Sequence, residues 1–202
     1  MHFEALEAPL RRAFEWLDSM PSRRRVLEVG CGASVLAEKI VEAGFADLVT
    51  CVDFSGECVT LMQQRERDRD GRGTVVYECM DATNMDSFSA HSFDFVFDKG
   101  TYDAVVTGDD EGDSCPPAEC SDENLSSDSG HGSRDDSDSR PNDATRLLAE
   151  VRRVIAPKGM FVLVSHSEGR DEILTKSGFR VVFKDAVPNN KATYHCYTCC
   201  LD

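Results

Sequence analysis

Arg25-Val26-Leu27-Glu28-Val29-Gly30-Cys31-Gly32-Ala33-Ser34 reads as a short buried strand, a glycine turn and the start of a helix. Val26, Leu27 and Val29 supply the apolar strand. Gly30 and Gly32 permit backbone geometry that a Cβ obstructs, and they let a ligand approach the main chain. Ser34 is placed to cap a helix over Val35 to Val41, whose first N–H groups need acceptors. A turn of this kind at the C-terminal end of a strand is where α/β sheets hold nucleotide-like ligands.

The dinucleotide fingerprint needs a third glycine three residues after the second, and here that position is Val35. What remains is an acid-x-Gly-x-Gly loop, Glu28 to Gly32. A carboxylate there repels phosphate and tolerates an ammonium, so the loop suits a ligand with an amino-acid portion and no pyrophosphate. S-adenosylmethionine fits that description.

The strands that follow deliver acids to the same end of a sheet. Leu48 to Val52 leads into Asp53, about 20 residues past the glycine loop, where an acid of a βαβ unit takes ribose hydroxyls. The bland alternatives for Asp53 are a helix cap or a solvated turn acid. Phe54 beside it is placed to lie against an adenine. Ser55 to about Arg69 patterns as a helix with a charged end. Thr74 to Cys79 is a strand, and Asp81 past its end either accepts from an adenine amino group or is a plain turn aspartate. Phe93 to Phe97 is the fourth strand and runs into Asp98-Lys99-Gly100-Thr101-Tyr102-Asp103-Ala104. A carboxylate and an aromatic hydroxyl there can orient an amine. The alternative for Asp98 is pairing with Lys99 or capping the helix after Gly100.

The flanks complete an α/β domain. Phe3, Leu6, Leu10, Phe14 and Leu17 recur at helical spacing, with Pro9 expected near the helix start. Trp16 reads as core packing, with a cover over a ligand as the alternative. Ala144 to Ile155 is an amphipathic helix stopped by Ala156-Pro157-Lys158-Gly159, and Met160 to Val164 is a strand ending in Ser165-His166-Ser167. His166 has no partner visible in sequence and reads as a loop histidine. Residues 169–177 read as a short helix, with Phe179 to Lys184 and Thr193 to Cys200 as two last strands. The Cys196/Cys199/Cys200 tail lacks the second ligand pair that zinc needs, so no metal is expected.

Composition narrows the functional classes. A length of 202 residues suits one domain of ordinary size, and a net charge of −15 argues against a nucleic-acid binder. No apolar run approaches a membrane span. The N-terminus is too acidic for a transit peptide and has no secretory core, and nine scattered cysteines suggest reduced thiols, so a cytoplasmic location is expected. Between Gly108 and Asn142 stand 11 acids and 2 bases, with few apolar residues. That segment cannot offset its ordering entropy and is expected to be a disordered, solvated insert. A docking arm for a basic partner or a serine phosphorylation cluster is the sharper alternative. The expected organisation is an N-terminal helix over the cofactor site (1–24), a cofactor-binding half (25–107), the acidic insert (108–142) and a C-terminal half (143–202).

Strand–loop–helix units with acids at successive strand ends, closed by two adjacent strands, resemble the class I, seven-stranded methyltransferases. The resemblance tightens at Leu27 to Ser34, at Val52-Asp53-Phe54-Ser55 and at Phe93 to Ala104. The Asp98-Lys99-Gly100-Thr101-x-Asp103-Ala104 signature is similar to a methyltransferase-like group that modifies lysines, including enzymes acting on elongation factor 1A and citrate synthase. The resemblance implies a Rossmann-like α/β fold with helices on both faces of a mixed sheet of order 3-2-1-4-5-7-6, its seventh strand antiparallel. It implies S-adenosylmethionine at Gly30, at Asp53 and Phe54, at Asp81 and Ala82, and at Lys99. One departure stands at the start. Family members begin with a Tyr-Trp-rich segment folded over the cofactor, which Met1-His2-Phe3 does not match. Either the helix around Phe3 and Trp16 substitutes, or the chain is N-terminally incomplete.

The expected cofactor set is therefore Glu28, Gly30, Gly32, Asp53, Phe54, Asp81, Ala82, Asp98 and Lys99. Asp98, Tyr102 and Asp103 are expected to bind and orient a neutral lysine amine on a protein substrate. A small-molecule methyltransferase and a non-catalytic binding protein of the same fold are the alternatives.

Overall fold

The computed structural model describes residues 3–17, 24–71, 73–111, 142–189 and 192–201. The bulk of the acidic insert and residues 18–23 lie outside them. In chain order the elements are α1 (Phe3–Trp16), β1 (Arg25–Val29), α2 (Leu36–Glu42), β2 (Leu48–Asp53), α3 (Gly56–Asp68), β3 (Thr74–Cys79) and β4 (Phe93–Lys99). There follow α4 (Thr101–Glu111), α5 (Asp143–Val154), β5 (Ile155–Ser165), α6 (Asp171–Lys176), β6 (Phe179–Asn189) and β7 (Ala192–Leu201).

The strands form one sheet of order β3-β2-β1-β4-β5-β7-β6, as expected. β1 to β5 run parallel, and β7 is antiparallel to both β5 and β6. β1 pairs with β2 on one side and β4 on the other, so the chain reverses its direction of travel across the sheet between them. That is the switch point at which open α/β sheets bind ligands.

Two apolar layers cover the sheet. Leu6, Leu10, Leu36, Ile40, Val59 and Met62 bring α1, α2 and α3 onto one face. Leu147, Leu148, Val151 and Leu174 bring α5 and α6 onto the other, with Tyr102 of α4 among them. β4 is buried on both faces at Phe95, Val96 and Phe97, as a central parallel strand must be.

Several boundaries differ from the sequence reading. Pro9 lies inside α1 rather than at its start, buried against the core. A proline there forgoes a helical hydrogen bond, a loss this helix offsets through tertiary packing. α5 runs straight into β5, which begins at Ile155 and tolerates Pro157 because a register shift near Phe93/Phe95 breaks the ladder there. α4 extends to Glu111, into the first residues of the acidic segment.

α1 is anchored by aromatic stacking. Phe14, 1% exposed, stacks on Phe45 at 4.9 Å and on Phe95 at 4.3 Å. Arg12 pairs with Asp185 and lies over the Phe183 ring, fixing α1 to β6. Trp16 is half exposed and meets Phe183 edge-on at 5.8 Å, so it is neither core nor visibly a ligand cover. Phe14→Ala is expected to cost about 3–5 kcal/mol by urea denaturation. A loss below about 1 kcal/mol would show that α1 is not held by this stack.

Candidate active site

The glycine turn is built from both neighbouring strands. Gly30 and Gly32 adopt φ of +60° and +52°, a region that L side chains avoid. The Cys31 N–H donates to Val52 O at 3.1 Å and the Gly32 N–H to Asp53 Oδ2 at 2.8 Å, so β2 holds the turn. Asp53 Oδ1 also accepts from the Ser55 N–H at 2.9 Å. Asp53 therefore sets the geometry between β1 and β2, while Ser55, not Asp53, caps α3 through the Cys58 N–H. At α2 the cap position is Val35, and Ser34 Oγ accepts from the Leu36 N–H at 3.2 Å.

The two glycines do different work. A Cβ on Gly30 would fall 2.0 Å from Thr101 Oγ1, whereas a Cβ on Gly32 meets nothing within 4 Å. Gly30 thus allows a close contact inside the protein, and Gly32 faces open space at the strand ends. Thr101 Oγ1 fills the first gap and donates to Val29 O at 2.9 Å. Sequence reading assigned Thr101 no role, because its partner lies on another strand.

Glu28 is buried at the end of β1. Its Oε1 has no hydrogen bond of good geometry, and Oε2 accepts from Cys51 Sγ at 3.7 Å. Burial pushes its pKa up to about 7, against the opposing pull of Lys99, Cys51 and nearby Ser34 and Ala37 donors. In register Glu28 is level with Phe97, so Glu28 and Lys99 share one sheet face. Phe54 is 68% exposed, Ala82 half-buried and Asp81 exposed, its Oδ1 accepting from the Thr83 N–H at 2.8 Å. The fold thus gathers Glu28, Gly30, Gly32, Asp53 and Phe54 around the turn, with Asp81 and Ala82 just past the end of the neighbouring β3.

The β4–α4 junction is differently arranged. Asp98 is fully buried, and its oxygens accept from the Thr101 N–H at 3.0 Å and the Tyr102 N–H at 3.0 Å. It caps α4 where the helix dipole favours a negative charge. Burial still dominates and raises its pKa to about 7, with Asp103 adding to the rise. Tyr102 is 3% exposed. Asp103 accepts from Ser165 Oγ, the His166 N–H and Arg170 Nη2. These three are the residues expected to contact an amine. Asp98 and Tyr102 are buried, and Asp103 is engaged by the segment after β5. A cavity of about 370 Å³ between α4, α5 and α6 opens beside Tyr102 and Arg170, away from the glycine turn.

Among the described residues no group of His, Cys, Asp and Glu could hold a metal ion, and no helix is long and apolar enough to cross a membrane. Cys196 and Cys200 join one core layer and Cys199 the other, as strand alternation requires.

Residues 26–111 match the family described as methyltransferase domain. Those residues hold β1 to β4 and the glycine turn. It is 30% identical over 166 residues to the eEF1A lysine and N-terminal methyltransferase of Bos taurus, covering 77% of this chain and 19% of that protein. It is 33% identical over 138 residues to the bovine eEF1A lysine methyltransferase 4, covering 68% of this chain and 44% of the relative. The chain thus spans less than half the length of either. Among solved structures, a SAM-dependent methyltransferase from Methanosarcina mazei superposes with a TM-score of 0.63 at 13% identity, covering 91% of this chain and 95% of that one. Magnesium protoporphyrin IX methyltransferase from Synechocystis, solved with bound SAM, gives 0.62 at 13% identity, covering 98% and 81%. These likenesses show the fold, a Rossmann-like seven-stranded mixed sheet with helices on both faces.

Two measurements test this geometry. Gly30→Ala should lower stability by well over the roughly 1–2 kcal/mol of a left-handed alanine, because Thr101 must also move, whereas Gly32→Ala should cost about that strain alone. Equal losses in thermal melts would refute the distinction. In the pH range from about 4 to about 7 the unfolded chain has ionised Glu28 and Asp98 while the folded protein retains their protons, so these groups lower stability as pH rises and add nothing further above their folded pKa. Glu28→Gln should therefore flatten the wild-type decline across that range in denaturation at stepped pH. An unchanged slope would rule out a buried, protonated Glu28.

Proposed function

We propose that this chain is an S-adenosylmethionine-dependent methyltransferase acting on a lysine side chain of a protein, with elongation factor 1A as the first candidate. The observation that carries the cofactor assignment is the cradle at Gly32. It is open where a Cβ would stand, and it lies between a buried carboxyl at Glu28, one oxygen of which has no hydrogen bond of good geometry, and a carboxylate at Asp53. Glu28 suits an ammonium, Asp53 retains acceptor capacity for ribose hydroxyls, and exposed Phe54 offers a face for an adenine. Bound there, the cofactor supplies an electrophilic methyl group on a sulfonium, open to in-line displacement.

The protein's own contribution is alignment and exclusion of water, since a thioether leaves without an acid. A lysine acceptor must be neutral, and desolvation in the entrance lowers its pKa. The acceptor enters over the β4–α4 turn. Asp98 and Tyr102 shape that turn through the first helical bonds of α4, so they orient the acceptor indirectly. Lys99 stands on the Glu28 face with its charge felt by both Glu28 and Asp98. The protein-lysine assignment is supported by the names of the relatives, and the net charge of −15 favours encounter with a basic protein.

Incubation with methyl-tritiated S-adenosylmethionine and a cell lysate, alongside purified elongation factor 1A, tests the reading. The Gly32→Arg variant is the control, because its side chain enters the open cradle without meeting the protein at Cβ. One labelled band running with elongation factor 1A, absent with the variant, is expected. No labelled protein at all would overturn the protein-lysine assignment in favour of a small-molecule acceptor or a binding role.

A further inference from the structure

We propose that Asp103 is a positioning residue: it clamps the segment after β5 so that His166 and Tyr194 form a wall of the acceptor entrance. The second half of this proposal rests on the methyl-transfer reading, and the first half does not.

Three donors converge on one carboxylate. Asp103 Oδ1 accepts from Ser165 Oγ at 2.6 Å and from Arg170 Nη2 at 2.9 Å, and Oδ2 accepts from the His166 N–H at 2.6 Å. A carboxylate has about four lone-pair sites, so little capacity remains for an acceptor amine. The donors belong to different parts of the fold. Ser165 ends β5, His166 begins the loop, and Arg170 immediately precedes α6. Side-chain exposures of 14% for Asp103 and 20% for Arg170 keep solvent from competing strongly with the ion pair.

The remaining polar groups of the segment close on one another. Ser165 Oγ accepts from Arg170 Nε at 3.2 Å and from the Ser167 N–H at 3.0 Å. The Arg170 guanidinium lies 5.1 Å from the centre of the Tyr102 ring. Tyr197, fully buried on β7, accepts from the Arg170 N–H at 3.3 Å and donates to Ser167 O at 2.9 Å. Residues 165–170 are therefore tied to α4 through Asp103 and to β7 through Tyr197.

This fastened loop presents one exposed side chain toward the sheet end that matters. His166 stacks on Tyr194 with ring centroids 4.2 Å apart and planes tilted by 46°. Tyr194 packs at the rim of the core layer that also holds Phe97 and the partly buried Phe3. Val164, two residues before His166, is level with Lys99, so the ring pair stands at the C-terminal end of β5. The glycine turn occupies the β1–β2 side of the switch point, which leaves the β4–β5 side for the acceptor. An aromatic pair there suits the aliphatic stem and cationic head of a lysine on its way in.

Hydrogen–deuterium exchange on the full chain, combined with kinetics on elongation factor 1A, tests both halves. In Asp103→Asn, amides of residues 165–170 should exchange about tenfold faster or more, the loss of charge-assisted hydrogen bonds, while β1 and the glycine turn stay at the wild-type rate. In His166→Ala, KM for elongation factor 1A should rise about fivefold with cofactor affinity unchanged, the size of a lost cation–π contact. Wild-type exchange of residues 165–170 in Asp103→Asn would overturn the clamp. Faster exchange with an unaltered KM in His166→Ala would overturn the wall. A wild-type protein that labels no lysate protein would overturn the wall together with the lysine reading, and the clamp would then be decided by exchange alone.

Discussion

Thr101 Oγ1 lies where a side chain at position 30 would begin, and that close approach organises the working end of the sheet. Because residue 30 is glycine, the hydroxyl can bond the Val29 carbonyl, which seats the first turn of α4 on the turn after β1. The same turn is tied to β2 by the Cys31 and Gly32 amides. Three strand ends are thus fixed relative to each other by main-chain and short side-chain bonds, none of which can lengthen without breaking. A cradle built this way is largely formed before a ligand arrives, which reduces the ordering cost of binding.

Around that frame stand two buried acids on opposite faces of the sheet, Glu28 among the α2 layer and Asp98 beneath α4. Their situations differ in kind. Asp98 is compensated by two backbone amides and the helix start, so its burial serves the fold. Glu28 keeps an oxygen with no hydrogen bond of good geometry, although Ser34 and Ala37 donors stand near it. A buried polar group left unsatisfied in a close-packed protein calls for an explanation, and a ligand that completes it is one. The contrast separates a carboxyl bonded by its own helix start from one that is less completely bonded, at nearly equal depth.

The two sides of the switch point are held by different means. On the β1–β2 side the backbone itself forms the receptive surface, with Asp53 linking turn to strand. On the β4–β5 side the surface is made of side chains on a loop, and the loop is held by one carboxylate reaching across from α4. Backbone geometry suits an invariant ligand such as a cofactor, whereas side chains on a fastened loop can differ between proteins of one fold without disturbing it. Solved structures of the same fold superpose on this chain at 13% identity.

The sequence by itself determined the strand–turn–helix units, the sheet order implied by their resemblance, the glycine turn and the acids at successive strand ends. These are periodic or local features, and the physics that produces them acts over a few residues of one chain segment. It did not determine what each acid does. Capping of the following helix was legible as an alternative for Asp98, whereas Asp103 joins residues 62, 63 and 67 positions away, which no local pattern signals. Pro9 read as a helix start, and only the packing of α1 on the sheet shows that it is accommodated inside one. Thr101 stands in the quoted signature without a role of its own, and Arg170 and Tyr197 carry no pattern that marks them, because the partners of all three come from other elements. Tertiary structure decided those roles: a hydrogen bond reports which atoms the crossovers bring within about 3 Å, and that distance is not written in any single stretch of chain.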